Sequence, residues 1–319
     1  MVRILRNSAL FTLLLFSCVS GAFAQDTTQA DTVTVAKLWD WGGTGTINFS
    51  QVSLHNWSAG GQNSLSVLGI ANVFANYKSG KNTINNTLNV TYGTVKLENQ
   101  RVRKSDDRVD LNLKYGRQAS DDWFYTAQLN LRTQLTPTYN EERTAKQSDF
   151  FSPAFILASI GMDYKPNEKL SVFLSPFTGK FTIVADQELA DRGTFGVDRA
   201  QTDAAGNPIA GTGKRFRGEF GSFANIRYKD EIWKNVTWQS KLDLFTNYLN
   251  NPENVDINFE NMLNLKVNDY LSTSFFLHMV YDDDIMIDVD ESGDGVIDAR
   301  GPRLQLKETF GVGLSYKFR

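Results

Sequence analysis

LQLKETFGVGLSYKFR, residues 304–319, reads as a β-strand at a period of two. Leu304, Leu306, Phe310, Val312, Leu314, Tyr316 and Phe318 fall on one side, and Gln305, Lys307, Thr309, Gly311, Gly313, Ser315 and Lys317 on the other. The same alternation recurs upstream. In 255–267, Val255, Ile257, Phe259, Leu263, Leu265 and Val267 oppose Asp256, Asn258, Glu260, Asn264 and Lys266. In 123–132, Trp123, Tyr125, Ala127, Leu129 and Leu131 oppose Phe124, Thr126, Gln128, Asn130 and Arg132. In 108–115, Val109, Leu111, Leu113 and Tyr115 oppose Arg108, Asp110, Asn112 and Lys114. From about residue 44 onward strand follows strand with no helical period, and aromatic residues gather toward the ends of the apolar faces.

The connections decide the architecture. Short ones lie near 79–81, 119–122, 166–169, 230–235 and 268–270, and they alternate with mostly longer ones at 55–63, 97–106, 135–152, 184–214, 250–254 and 284–302. The expected fold is therefore all-β, an antiparallel transmembrane β-barrel of about 12 strands (range 10–14), with short periplasmic turns and longer extracellular loops. A soluble β-sandwich also alternates polar and apolar residues. Against it stand strands of roughly 10 to 15 residues where soluble strands run about 5 to 6, the one-sided loop lengths and the aromatic C-terminal strand.

Composition fits this reading. The 319 residues are 41% hydrophobic and 22% charged with net charge −3, and mean hydropathy is −0.33. After the N-terminus no apolar run is long enough for a membrane helix, whereas a barrel averages to ordinary hydropathy. No basic stripe points to nucleic acid. Arg3 and Arg6, the apolar stretch 9–19 and Ala22-Phe23-Ala24 have the layout of a cleaved secretory signal. The sole cysteine, Cys18, lies within it behind Leu15-Phe16-Ser17, a loose match to a lipoprotein box. The expected organisation is a signal peptide at 1–24, a polar periplasmic lead-in at 25–43 and an outer-membrane barrel at 44–319. A mature chain without cysteine has neither disulfides nor thiolate chemistry. Barrel-assembly machinery acting on the C-terminal strand and outer-membrane lipid are the expected partners.

NFSQVSLHNWSAGGQNSLS (48–66), Tyr92-Gly93, KYG (114–116), FFSPAF (150–155), MDYKP (162–166), LSPFTGKFTIV (174–184) and the GP-x-LQLKE-x-FGVGLSYKF ending resemble a family of Bacteroidetes outer-membrane proteins catalogued as a domain of unknown function. The resemblance spans nearly the whole mature chain. It implies compartment and fold, and carries no activity to transfer.

In a barrel the polar faces line the lumen, so Arg108, Asp110, Lys114, Arg132, Lys241, Asp243, Asp256, Glu260 and Lys266 are the candidate lumen residues. Two readings stand. The charges coordinate a small polar solute on a permeation path, or they neutralise one another in a closed lumen and the protein acts on a surface partner through its outer loops. Mixed charge argues against strong ion selectivity.

The loop DVDESGDGVIDARG, 288–301, places Asp290, Ser292, Asp294 and Asp298 at ligand positions of an EF-hand-like calcium loop, with Gly295 at the turn. Position twelve is Gly301 instead of glutamate, with Asp288 or one of Asp282, Asp283 and Asp284 as substitute donors. The alternative is a solvated acidic hairpin tip. The two histidines, His55 and His278, lie far apart, with no nucleophile elbow and no zinc-type histidine pair. The chain is read as a non-enzyme, with His278 in a hydrogen-bond network.

Overall fold

The computed structural model describes residues 38–54, 62–140, 143–289, 292 and 298–318. In chain order the strands are β1 (Trp39–Val52), β2 (Ser64–Ser79), β3 (Asn82–Leu97), β4 (Arg103–Gln118), β5 (Trp123–Thr133), the small pair β6 (Thr138–Tyr139) and β7 (Lys146–Ser148), β8 (Ala154–Tyr164) and β9 (Leu170–Ile183). After a short helix α1 (Gln187–Asp191) come β10 (Phe216–Trp233), β11 (Val236–Asn247), β12 (Asp256–Lys266), β13 (Leu271–Tyr281), the loop hairpin β14 (Met286–Val289) and β15 (Ala299–Pro302), and β16 (Gln305–Phe318).

Twelve of these close into one antiparallel barrel in the ring order β1-β16-β13-β12-β11-β10-β9-β8-β5-β4-β3-β2. Each strand pairs with its sequence neighbours among the twelve, and β16 returns to β1, so the sheet has the up-and-down topology expected of short alternating turns. β1 begins at Trp39, ahead of the expected boundary at residue 44. Trp39 to Gly42 pair with Tyr77 to Phe74, and Trp39 stacks on Tyr77 at 5.1 Å, so this end of the lead-in gains a ladder and a ring contact. The stretches 135–152 and 184–214, expected as plain loops, also carry structure: β6 and β7 in the first, α1 in the second.

The alternation decides which way each side chain points. Ile47, Phe49, Leu129, Ile160, Phe177, Phe310, Leu314 and Tyr316 stand on the outer face and are exposed. At the short-turn end Trp123 packs on Tyr164 at 4.9 Å, and toward the other end Phe220 packs on Phe177 at 6.5 Å and on Tyr248 at 5.9 Å. Aromatic pairs thus mark both rims of an apolar outer surface.

Bulges re-aim parts of the inner face. Between β3 and β4 the register slips after Gly93 opposite Asp106, with Thr94 opposite Lys104, so Ser105 is extra. A Cβ on Gly93 would lie 2.6 Å from the Ser105 Oγ and 2.8 Å from Leu68 Cδ1. Only glycine fits beneath the bulged Ser105.

Candidate functional site

The inner face carries ion pairs that cross the lumen. β4 and β12 lie six steps apart in either direction around the twelve-stranded ring, which makes them opposite walls. Arg108 on β4 reaches Glu260 on β12, with Nη2 2.6 Å from Oε1, and also holds Asp110 at 3.1 Å. Arg132 on β5 joins the same group, 3.2 Å from Asp110 and 3.3 Å from Glu260. Asn130 Nδ2 donates to the second oxygen of Asp110 at 2.9 Å. Two guanidiniums and two carboxylates therefore form a strut through the middle of the barrel, the planar guanidinium serving two acceptors at once.

Neighbouring groups extend it. Lys241 pairs with Asp243 at 2.9 Å, and Asp243 accepts from Asn258 at 2.9 Å and from Asn225 at 2.5 Å. His278 bonds through Nε2 to Asn258 Oδ1 at 2.6 Å, so that nitrogen carries the proton. Asp256 accepts from Lys180 on β9 at 2.6 Å, and Lys180 also holds Asp282 at 3.1 Å. Lys114 pairs with Asp163 at 2.6 Å. Of the nine candidates, Arg108, Asp110, Arg132, Glu260, Lys241, Asp243, Asp256 and Lys114 thus sit in inner-face ion pairs. Lys266 does not. It ends β12, half-exposed, and pairs with Asp269 of the adjoining turn at 2.6 Å, because the strand has reached the rim.

A second chord leaves the same strand, β4. Lys307 on β16 pairs with Asp106 on β4 at 2.6 Å, across the span of β1, β2 and β3. The two chords separate unlike halves. On the side of β5, β8, β9 and β10 the interior is packed: Phe173, Phe223 and Phe245 form a buried cluster with Leu157 against it. Around them Thr126, Gln128, Ser159, Asp163, Ser175, Thr178, Thr182, Glu219 and Asn225 are all buried. On the side of β13, β16, β1, β2 and β3 the inner positions are mostly polar, with Leu68, Ile70 and Phe74 of β2 and Phe276 of β13 among them. The polar ones include Thr44, Thr46, Ser50, Asn72, Thr87, Asn89, Thr91, Ser272, Ser274 and Ser315, none of them buried. Asn48 is the buried polar residue on these five strands among the described residues.

The rim opposite the short turns carries a folded loop. Within 184–215, Val184, Leu189, Ala190 and Val197 make a small core with Phe195 against it. Asp186 caps α1 through the Leu189 amide at 3.0 Å and accepts from Lys146 at 2.6 Å. Asp191 accepts the amides of Gly211 at 2.7 Å and Gly213 at 2.8 Å. Arg217 ties this loop to the next, bonding the Gly196 carbonyl at 3.0 Å and the carboxylates of Glu219 and Asp284. A polar cavity of about 460 Å³ lies there, lined in part by Asp198, Lys214, Arg217, Glu219, Asn247 and Asp284.

Of the candidate calcium ligands, Asp290 and Asp294 lie outside the described residues, as does His55. Asp298 accepts the Ser292 amide at 3.0 Å. Of the substitute donors, Asp282 is held by Lys180, Asp284 by Arg217 and Asp283 by Asn254 at 2.5 Å, and the Asp288 side chain lies outside what the structure describes.

Residues 49–139 match a family model described as a protein of unknown function, DUF3078. No curated protein matches the sequence. Among solved structures the barrel is similar to the NanC porin, at 9% identity and a TM-score of 0.36 over 86% of this chain and 99% of that one. It is also similar to the P. putida toluene transporter TodX, at 11% identity and a TM-score of 0.31 over 88% of this chain and 79% of that one. A third is OmpT, an outer membrane protein of Vibrio cholerae, at 8% identity and a TM-score of 0.30 over 88% and 97%.

As inner-face ion-pair residues, sequence reading passed over Asp106, Asp163, Lys180, Arg217, Glu219, Asp282 and Lys307. For Lys307 the polar face itself was evident. For Lys180 the alternation breaks near Pro176, where β8 and β9 lose register between Ile160 and Met162.

Proposed function

We propose that this chain is an integral outer-membrane barrel that passes small polar solutes passively, without chemistry, along the wall formed by β13, β16, β1, β2 and β3. The observation that carries it is the unlike packing of the two half-lumens: buried side chains crowd one, while partly accessible and mostly polar side chains line the other. Short hydroxyl and amide side chains leave room for water and supply donors and acceptors to a solute. The exposed apolar outer face with aromatic pairs at both rims supports the membrane placement, since such a surface would not stay in water. In this reading residues 1–24 serve export, and β16 is the strand that assembly machinery engages.

The chords set the bore. Arg108–Glu260 and Lys307–Asp106 occupy the cross-section that an open porin of this strand number would leave free. The path is narrow, and its paired charges give it little ionic preference. A second reading rests on the same chords: a lumen held shut, with the folded loop 184–215 meeting a partner. Planar-bilayer recordings of the refolded protein separate the two. Small, discrete openings are expected. Silence from a heat-modifiable, folded barrel would refute the passage and leave the loops.

A further inference from the structure

One seam of the barrel differs from the rest. Every other pair of neighbouring barrel strands pairs ten or more residues, counted across the bulges that interrupt β8 with β9 and β9 with β10, the shortest ladders being those such as β12 with β13 and β13 with β16. β1 and β16 pair over six, Gly43–Asn48 against Gly313–Phe318. Above Asn48, residues 49–52 of β1 pair with β2 alone and 305–312 of β16 with β13 alone, among the described residues. Asn48 stands where the strands part. A Cβ on Gly313 would fall 1.8 Å from its Oδ1, and one on Gly311 would fall 3.1 Å from its Nδ2. The amide therefore occupies the space that side chains on those glycines would take.

Unpaired strand edges are not left bare against hydrocarbon, and they persist where water or a ligand reaches them. Here the inner side of the seam opens on the polar half-lumen, while its outer side is rimmed by Phe49, Leu306 and Phe310, the last 71% exposed. A molecule that crosses such a slot has to be polar at one end and apolar at the other. We propose that the β1–β16 seam is a lateral binding site for a single-chain amphiphile, its head among the half-lumen hydroxyls and its chain between the parted strands. The proposal rests on the membrane placement argued above and does not require that the lumen conduct.

The test uses the full chain in a Cys18→Ser background, in phosphatidylcholine vesicles, with a fluorophore on Thr309→Cys at the seam or on Thr91→Cys on the inner face of β3. Stearic acid bearing a nitroxide on its chain is titrated in. Saturable quenching at 309, relieved by unlabelled stearic acid and at least twofold stronger than at 91, is expected. Oxidising a Ser50→Cys/Gly311→Cys pair, which continues the register across the gap, should abolish it. Equal, unsaturable quenching at both positions, or quenching indifferent to the disulfide, would overturn the proposal. Bilayer recordings of the same samples keep the two ideas apart: a silent barrel with saturable quenching removes the passage and keeps the seam, and the converse removes the seam alone.

Discussion

Replacing Lys114 by methionine takes the cation out of a pair that is almost wholly withdrawn from water. The side chains of Lys114 and Asp163 are 5% and 0% exposed and their charged atoms 2.6 Å apart. Removing one partner of a buried pair strands the other charge, at about 3–5 kcal/mol. Asp163 keeps Lys165 at 3.2 Å and the Ser171 hydroxyl at 2.7 Å, which reduces the expected loss to about 2–4 kcal/mol. Methionine preserves most of the apolar stem against Phe173, over whose ring the ammonium sits at 5.0 Å, so lost packing adds little. The double variant Lys114→Met/Asp163→Leu exchanges the pair for apolar groups of similar volume and should recover to within about 1 kcal/mol of the native protein. Guanidinium unfolding in vesicles, followed by tryptophan fluorescence and checked by heat-modifiable gel mobility, measures both. Conductance should not change in either variant, because this pair lies in the packed half. A single variant as stable as the native protein, or a double variant weaker than the single one, would refute the reasoning.

Opening the central strut should act the other way. Arg108→Ser is expected to raise unit conductance by about twofold or more in planar bilayers, as a long side chain leaves the cross-section; an unchanged value would place the path elsewhere. Phe173→Ala hollows the buried aromatic cluster and should cost about 3–5 kcal/mol in the same unfolding assay, again without a conductance change. The loop carries a pH dependence. Partial burial raises the Asp186 carboxyl, but the Lys146 ammonium and the Leu189 amide outweigh it and hold the group below its ordinary value. A lowered folded-state pKa gives stability that is complete above the unfolded value near 4 and lost as pH falls through the folded one. A nitroxide at Glu188→Cys on α1 should thus be immobile at pH 7 and gain mobility below about pH 4. In Asp186→Ala, which also removes the cap, it should be mobile at both.

The strand ladders were legible because alternation is a local signal. Val109 to Tyr115 and Trp123 to Leu131 state their faces without reference to anything else in the chain, and the contrast between the turn at 119–122 and the loop at 184–215 states which rim is which. The cross-lumen partners were not legible. Arg108 and Glu260 are separated by 152 positions, and nothing near either residue tells that β4 will stand opposite β12. That follows only from the closed ring of twelve. The bulges were hidden for a related reason. Ser105 looks like one more polar residue in a polar run, and only the partner strand shows that it is extra; Asp106 keeps the phase of Arg108 and Asp110 but fell in the stretch 97–106 read as a connection. Lys266 marks the opposite error: its alternation is right, but alternation is silent about height, and height put it on the rim.

The same ring closure explains why the two halves can differ without splitting the fold. A barrel wall needs only its ladders and its outer face, so the inner face is free to be packed on one side and sparse on the other. The packed side carries the long loop 184–215, whose core and Arg217 ties rest on the rims of β9 and β10, and a rigid floor beneath a folded loop keeps it in one arrangement. The sparse side carries the shortest ladder, between β1 and β16, where the first and last barrel strands meet. Rigidity and access are therefore assigned to different strands. A change on β8 to β10 should register in stability and loop order, and one on β16, β1 or β2 in what passes through the wall or along it. Variants on the first set that alter passage while leaving stability intact would break that division.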